Sequence, residues 1–308
     1  MSAAEFIDFA RVNGVVIDKL VDDDKLHRVP TTEHPRSRSG AYRWDGTSGF
    51  VWNWEAEGIC QVFRDPHAKP RSLADQQRAA RRRENFQQER EHNAERAAAK
   101  AQAMLASATV DTHGYLELKG LGDIKGLVLP DGELMIPMIG LHSRRIVGAQ
   151  TIKWLADVRK WEKKYLFGMN AKGAVARLGP ARPPELFLCE GWATGLSIEM
   201  ALHRMRLNAG VLVTFSAANL QWCAQHTVGR RIVIADHDAP QRDPEKAKHN
   251  PGCTGQLAAA STGLPWVCPN EEGWDANDVH KSRSLTHLCA MLMTARAAEP
   301  APFVVPPL

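Results

Sequence analysis

Beyond Pro183-Pro184 the apolar positions fall in short unbroken runs rather than in alternation. LFLCE, VLVTF, RIVIAD and LPWVC are each the length of a strand buried on both faces, and each is bounded by Pro, Gly or charge. Between them lie GWATGLSIEMALHRMRL, SAANLQWCAQHT and GCTGQLAAASTG, with helical spacing or helix-forming content. This α/β alternation predicts a parallel, Rossmann-like sheet over 181–295, with helices on its faces and ligands at the carboxyl ends of its strands.

The text upstream is less regular. Residues 1–70 join an amphipathic opening, EFIDFARVNGVVI, to GAYRWDGTSGFVWNWEAEG, which reads as short strands linked by turns in a small α+β module. Lys25, Arg28, Arg36, Arg38 and Arg43 accompany Trp44, Trp52 and Trp54, a mixture suited to holding a nucleic-acid backbone while stacking bases. The other reading of any one of these tryptophans is the core of a small sheet.

Residues 71–108 have no glycine and no proline and are dense in Ala, Glu, Gln and Arg, which predicts one long helix or two. Glu84, Glu89 and Glu91 alternate with Arg81, Arg82 and Arg83, so a solvated helical linker is the better reading. Residues 109–180 read as a basic α+β segment with strand-like LMIPMIG and RIVGAQTI, and 296–308 as a poorly ordered Pro-rich tail.

Composition narrows the class of partner without choosing it. A chain of 308 residues, 44% hydrophobic, can bury a core of about two domains. The formal charge of +4 permits a nucleic-acid partner but does not argue for one. Six scattered cysteines without a CxxC pair support neither a zinc ribbon nor a disulfide framework, so no zinc and a reducing cytoplasm are expected. No apolar stretch approaches a membrane span and MSAAEFIDFARVNG lacks the build of a signal peptide, so no membrane association is expected.

The chemistry-bearing residues are acids at strand ends. Glu190 ends LFLCE and runs into Gly191, and Asp236 and Asp238 end RIVIAD, where positions i and i+2 share a side. Asp275 and Asp278 follow LPWVC in GWDANDVH. Any one of these alone is more often a cap or turn former. Three sets at successive strand ends suit Mg²⁺ or Mn²⁺, hard ions that bridge substrate phosphates.

The order Glu-Gly, then Asp-x-Asp, in an alternating α/β segment resembles the Toprim domain of DnaG-type primases, topoisomerases and some nucleases. LFLCEGWATGLSIEMAL and RRIVIADHD, with Gly252 and Gly255 opening the next helix and WDANDVH closing the set, are similar to the Toprim primases of plasmids and phages. Upstream, HGYLELKGL, LMIPMIG, RIVGAQTIK, KKYLFG and AKGAVARLG appear in the order such primases show, so the resemblance spans roughly 112–280.

The resemblance implies a DNA primase that joins ribonucleotides into short primers on single-stranded DNA, in phage or plasmid replication within a bacterial cell. It implies Glu190 as metal ligand or general base, Asp236 and Asp238 as paired metal ligands, and Asp275 and Asp278 as accessory acids. Lys163, Lys164 and Lys172, with Arg144 and Arg145, fall in the basic part expected to hold nucleotide phosphates or template. Thr194 stands where some relatives carry an acid, and His237 interrupts the Asp pair, read here as packed on the opposite strand face. The amino-terminal module lacks the cysteines of a DnaG zinc domain.

No G-x-x-x-x-G-K-[ST] run is present, so any replicative helicase is a separate partner. Three tyrosines, Tyr42, Tyr115 and Tyr165, in so short a chain argue against a topoisomerase. A Toprim nuclease and a non-catalytic DNA-binding replication accessory remain as alternatives.

Overall fold

The computed structural model describes residues 2–54, 60–65, 73–242 and 252–298. The chain divides into two compact units, Met1–Arg82 with Pro240–Gly252, and Arg83–Ala239 with Cys253–Leu308. The tail expected at 296–308 lies, from 299 onward, outside the described residues.

In the first unit, helix α1 (Ser2–Val12) is followed by strands β1 (His27–Val29), β2 (Gly40–Trp44), β3 (Ser48–Asn53) and β4 (Cys60–Arg64). The strands form an antiparallel sheet in chain order. Period-2 alternation sends Tyr42 and Trp44 into a core with Phe6, Ala10, Val15 and Val51, and Phe6 stacks on Trp44 at 4.6 Å. Trp44 is thus a core residue. Trp52 and Trp54 instead stack on each other at 5.4 Å, with the Arg28 guanidinium 3.9 Å over the Trp54 ring.

The linker text forms a single helix, α2 (Leu73–Ser107). Its residues are nearly all solvated, as the mixed charges require. Ala97 and Ala101, one turn apart, are the exception: they pack against Met135 and Ala149 on the second unit's antiparallel strands and against Leu129 and Leu166, which directly follow two of them.

Those strands are β5 (Thr109–Asp111), β6 (Gly126–Val128), β7 (Leu134–Gly140), β8 (Ile146–Leu155), β9 (Lys160–Tyr165) and β10 (Ala174–Leu178), with a short helix α3 (Gly114–Leu118) after β5. The apolar runs beyond Pro184 give β11 (Glu185–Cys189), β12 (Ala209–Val213), β13 (Arg230–Ile234) and β14 (Trp266–Val267). Helices α4 (Trp192–Arg204), α5 (Ala217–Gln225) and α6 (Thr254–Ser261) lie between them, and α7 (Ala276–Ser282) and α8 (Leu285–Ala297) follow.

One mixed sheet runs β14-β13-β11-β12-β10-β7-β6-β5, with β8 on β7 and β9 on β8. β14, β13, β11 and β12 are mutually parallel, and β10 joins β12 antiparallel. Successive residues of each parallel strand face opposite layers. Phe187, Cys189, Val211, Val213, Ile232 and Ile234 pack with α4, α7 and α8, while Leu188, Leu212 and Val233 pack with α5 and α6. Each such side chain, fully buried, contributes about 1.5–3 kcal/mol. Burial on both faces is why the runs are continuously apolar. Among the described residues no helix is long and apolar enough to cross a membrane.

Candidate active site

The register that sets Leu188 beside Val233 on β11 and β13 carries Glu190 and Asp236 past the same rim on adjoining strands. Three connections hold this rim. The Glu190 carbonyl accepts from the Phe215 N–H at 2.9 Å. Phe215, with φ at 66°, takes the left-handed conformation that a bulky residue rarely adopts. This turn starts α5, whose first residue, Ala217, donates its N–H to the Glu190 carboxyl.

The second connection is α6. The Gly255 N–H donates to Asp238 Oδ2 at 2.7 Å, and Gln256 pairs with the Asp238 backbone in both directions, at 3.2 and 3.0 Å. A side chain at Gly255 would stand 2.7 Å from the Asp236 carbonyl, so glycine is what lets the helix reach this strand end. His237, between the two aspartates, donates from Nδ1 to the Pro269 carbonyl at 2.8 Å, and its backbone exchanges hydrogen bonds with Trp274 and Gly273. It is a positioning element facing away from the acids, in keeping with the packed role read from alternation.

The third is α7. Asp275 and Asp278 form a reciprocal capping box at its start. Asn277, fully buried, donates to the Lys119 carbonyl at 2.9 Å and to Ser197 Oγ at 3.0 Å, tying α7 to α3 and α4. Lys119 Nζ lies 3.8 Å from Asp275 Oδ2.

Electrostatics report the convergence. Burial, then the charges of Asp275, Glu190 and Asp238, push the Asp236 carboxyl up to about 8, while Lys163 pulls it down. Burial and Asp238 push Glu190 up to about 7, against the Ala217 N–H. Asp236 Oδ1 is buried with no hydrogen-bond partner. Lys163 and Tyr165, two apart on β9, share the strand face turned to these acids. The Tyr165 hydroxyl donates to the Phe215 carbonyl at 2.9 Å, and burial and the Glu190 charge raise its pKa. Tyr115, raised to about 12 chiefly by burial, has a buried hydroxyl without a partner beside Lys119 and Asp275.

The structure therefore gathers Glu190, Asp236, Asp238, Asp275 and Lys163. Asp278 is turned to its capping partner. Lys164 lies on the other face of β9, paired with Glu162 at 2.7 Å. Lys172, Arg144 and Arg145 stand farther along the same rim, before β10 and between β7 and β8. Tyr115, Lys119 and Tyr165 were not anticipated. Tyr165 was accessible from its i+2 spacing to Lys163, whereas Tyr115 and Lys119 arrive by long-range packing that leaves no local signal.

The donor set is all oxygen, with one orphaned buried carboxylate atom and like charges that a cation would relieve, which fits Mg²⁺ or Mn²⁺. Among the described residues no three acid, His or Cys side chains close on one point as a metal cage. Mg²⁺ characteristically uses one or two carboxylates with water and substrate phosphates, so a closed cage is not needed.

No protein-family model and no curated protein matches the chain. Among solved structures it is similar to a chain in a complex of bacteriophage T7 lagging-strand DNA polymerase with primase domains of two gp4 subunits, bound to an RNA/DNA hybrid and dTTP. The identity is 15% and the TM-score 0.35, over 63% of this chain and 94% of that one. A likeness of that size carries no weight for function.

Proposed function

We propose that this protein is a Toprim-type DNA primase, joining ribonucleoside triphosphates into short primers on a single-stranded DNA template. The observation that carries this reading is the gathering of Glu190, Asp236 and Asp238 at the carboxyl rim of a parallel sheet, with burial and neighbouring carboxylate charge raising Asp236, and burial and the Asp238 charge raising Glu190. Their order along the chain, Glu-Gly then Asp-x-Asp, supports it.

Asp236 and Asp238 are the residues that would hold Mg²⁺ or Mn²⁺, with Glu190 and Asp275 near. A bound ion of this kind neutralises triphosphate charge and makes phosphorus more electrophilic. In the reaction the 3′-hydroxyl oxygen of the growing strand attacks the α-phosphorus of the incoming nucleotide, the bond to the bridging oxygen breaks, and pyrophosphate leaves. Glu190, with a pKa near 7, accepts the hydroxyl proton. Lys163, on the wall of the acid cluster, faces the triphosphate charge.

The test supplies labelled ribonucleotides, single-stranded DNA and Mg²⁺ or Mn²⁺ to the protein and to Asp236→Asn. Short labelled oligomers from the parent chain and none from the variant are expected. DNA shortening without synthesis would assign a nuclease, which turns the same acids on water. Neither activity would leave a DNA-binding accessory.

A further inference from the structure

Beyond the acids, the same rim carries aromatic rings and a group of cations. β10 pairs with β12 through Ala176 and Val213, and with β7 through Ala174 and Gly140. Segments 140–145 and 171–174 therefore lie at the end of the sheet where Glu190 emerges. At one strand spacing of about 4.8 Å each, they stand about 10–15 Å along the rim from it.

Trp222 and His226, one turn apart at the end of α5, stack with ring centroids 3.9 Å apart and planes at 16°. His142 meets both edge-on, at 5.9 and 6.1 Å. Trp222 is half-buried, lying on Gly173, where a side chain would meet its ring at 2.7 Å. His226 and His142 are exposed, so the stack runs from the core out to solvent. The His226 Nδ1 donates to the Trp222 carbonyl at 2.8 Å, which fixes the ring.

Lys172 Nζ lies 5.9 Å over the Trp222 ring. Arg177 on β10 approaches the same helix, and its Nε is buried without a partner. Arg144 is close enough to Arg177 for the two positive charges to oppose each other, adding to burial in lowering the Arg177 pKa. Lys172, Arg144 and Arg177 form no ion pair among the described residues. Cations that form no ion pair among the described residues are open to an anion, although Glu91 and Glu95 line the cavities beside Lys172, and rings stacked out to solvent offer a flat apolar face. A base joined to its phosphate supplies both.

We propose that the Trp222–His226 stack, flanked by Lys172, Arg144 and Arg177, holds a base and adjoining phosphate of the single-stranded template on its way to the carboxylates. This rests on the primase reading for the identity of the strand, but its own test does not depend on synthesis. Fluorescence anisotropy with a labelled oligo-dT measures binding by the parent chain, His226→Ala, Lys172→Ala and Asp236→Asn across a salt series.

His226→Ala is expected to weaken binding about fivefold or more, the range for loss of a stacked base. An oligomer abasic throughout should be insensitive to this change. Lys172→Ala should lower the salt slope by about 0.7, the value for one phosphate on a single strand. Asp236→Asn should bind like the parent. Parental affinity and salt slope in both patch variants, an equal loss with the abasic strand, or a loss confined to duplex DNA or RNA would overturn the proposal. If Asp236→Asn still makes primers while His226→Ala loses binding, the catalytic reading falls and the platform stands.

Discussion

Asp236→Asn is expected to stabilise the metal-free protein while abolishing its activity. The Asp236 carboxyl is held at about 8, against 3.8 ordinarily. A carboxyl raised on folding binds more protons folded than unfolded between those values, so the folded state loses stability as pH climbs from about 4 to 8. At pH 7 the full cost relative to an ordinary aspartate is about 4 kcal/mol. Part of it is shared with Glu190 and Asp275, and the amide must still be buried, so a net gain of about 1–3 kcal/mol is expected. That corresponds to a rise in Tm of roughly 5 °C in EDTA at pH 7.5, shrinking toward zero near pH 5. Thermal melts of parent and variant at both pH values measure it. A variant less stable than the parent at pH 7.5, or a difference independent of pH, would refute the electrostatic account of the site.

Three further outcomes follow from named contacts. Lys163→Met removes the cation that holds Asp236 down, so in the metal-free protein its carboxyl should ionise at higher pH, read by carboxyl NMR titration in EDTA; an unmoved titration would place Lys163 outside the site. Gly255→Ala sets a methyl 2.7 Å from the Asp236 carbonyl, and should cost about 1–3 kcal/mol by denaturant titration and cut synthesis at least about tenfold. Glu185, buried at the opposite end of β11 against Arg230 at 2.8 Å and Arg296 at 2.9 Å, serves stability alone. Its replacement by Ala should cost about 2–3 kcal/mol and leave the rate per folded molecule unchanged.

The parallel strands and the rim acids were legible because both are local signals. A strand buried on two faces must be continuously apolar, and an acid directly after it has only the rim to occupy. Basic residues were less legible. Lys163 and Lys164 read alike as a pair, yet period-2 alternation turns the first toward Asp236 and the second to Glu162. Asp278 read as a site acid, whereas Asp275-x-x-Asp278 before a helix is equally a capping box, and that is how it folds. Lys119, Tyr115 and Arg177 depend on strand order, which no local pattern encodes, whereas Lys172 and Arg144 were named only through the resemblance. The i, i+4 spacing of Trp222 and His226 within a helix was the one readable trace of their stack.

The claim on which the rest depends is that these acids share a divalent cation. Crystals soaked in Mn²⁺ and measured at the manganese absorption edge test it most directly. An anomalous peak in contact with Asp236 or Asp238, lost in Asp236→Asn, is predicted. Manganese bound only elsewhere, or a peak indifferent to that substitution, would contradict the account.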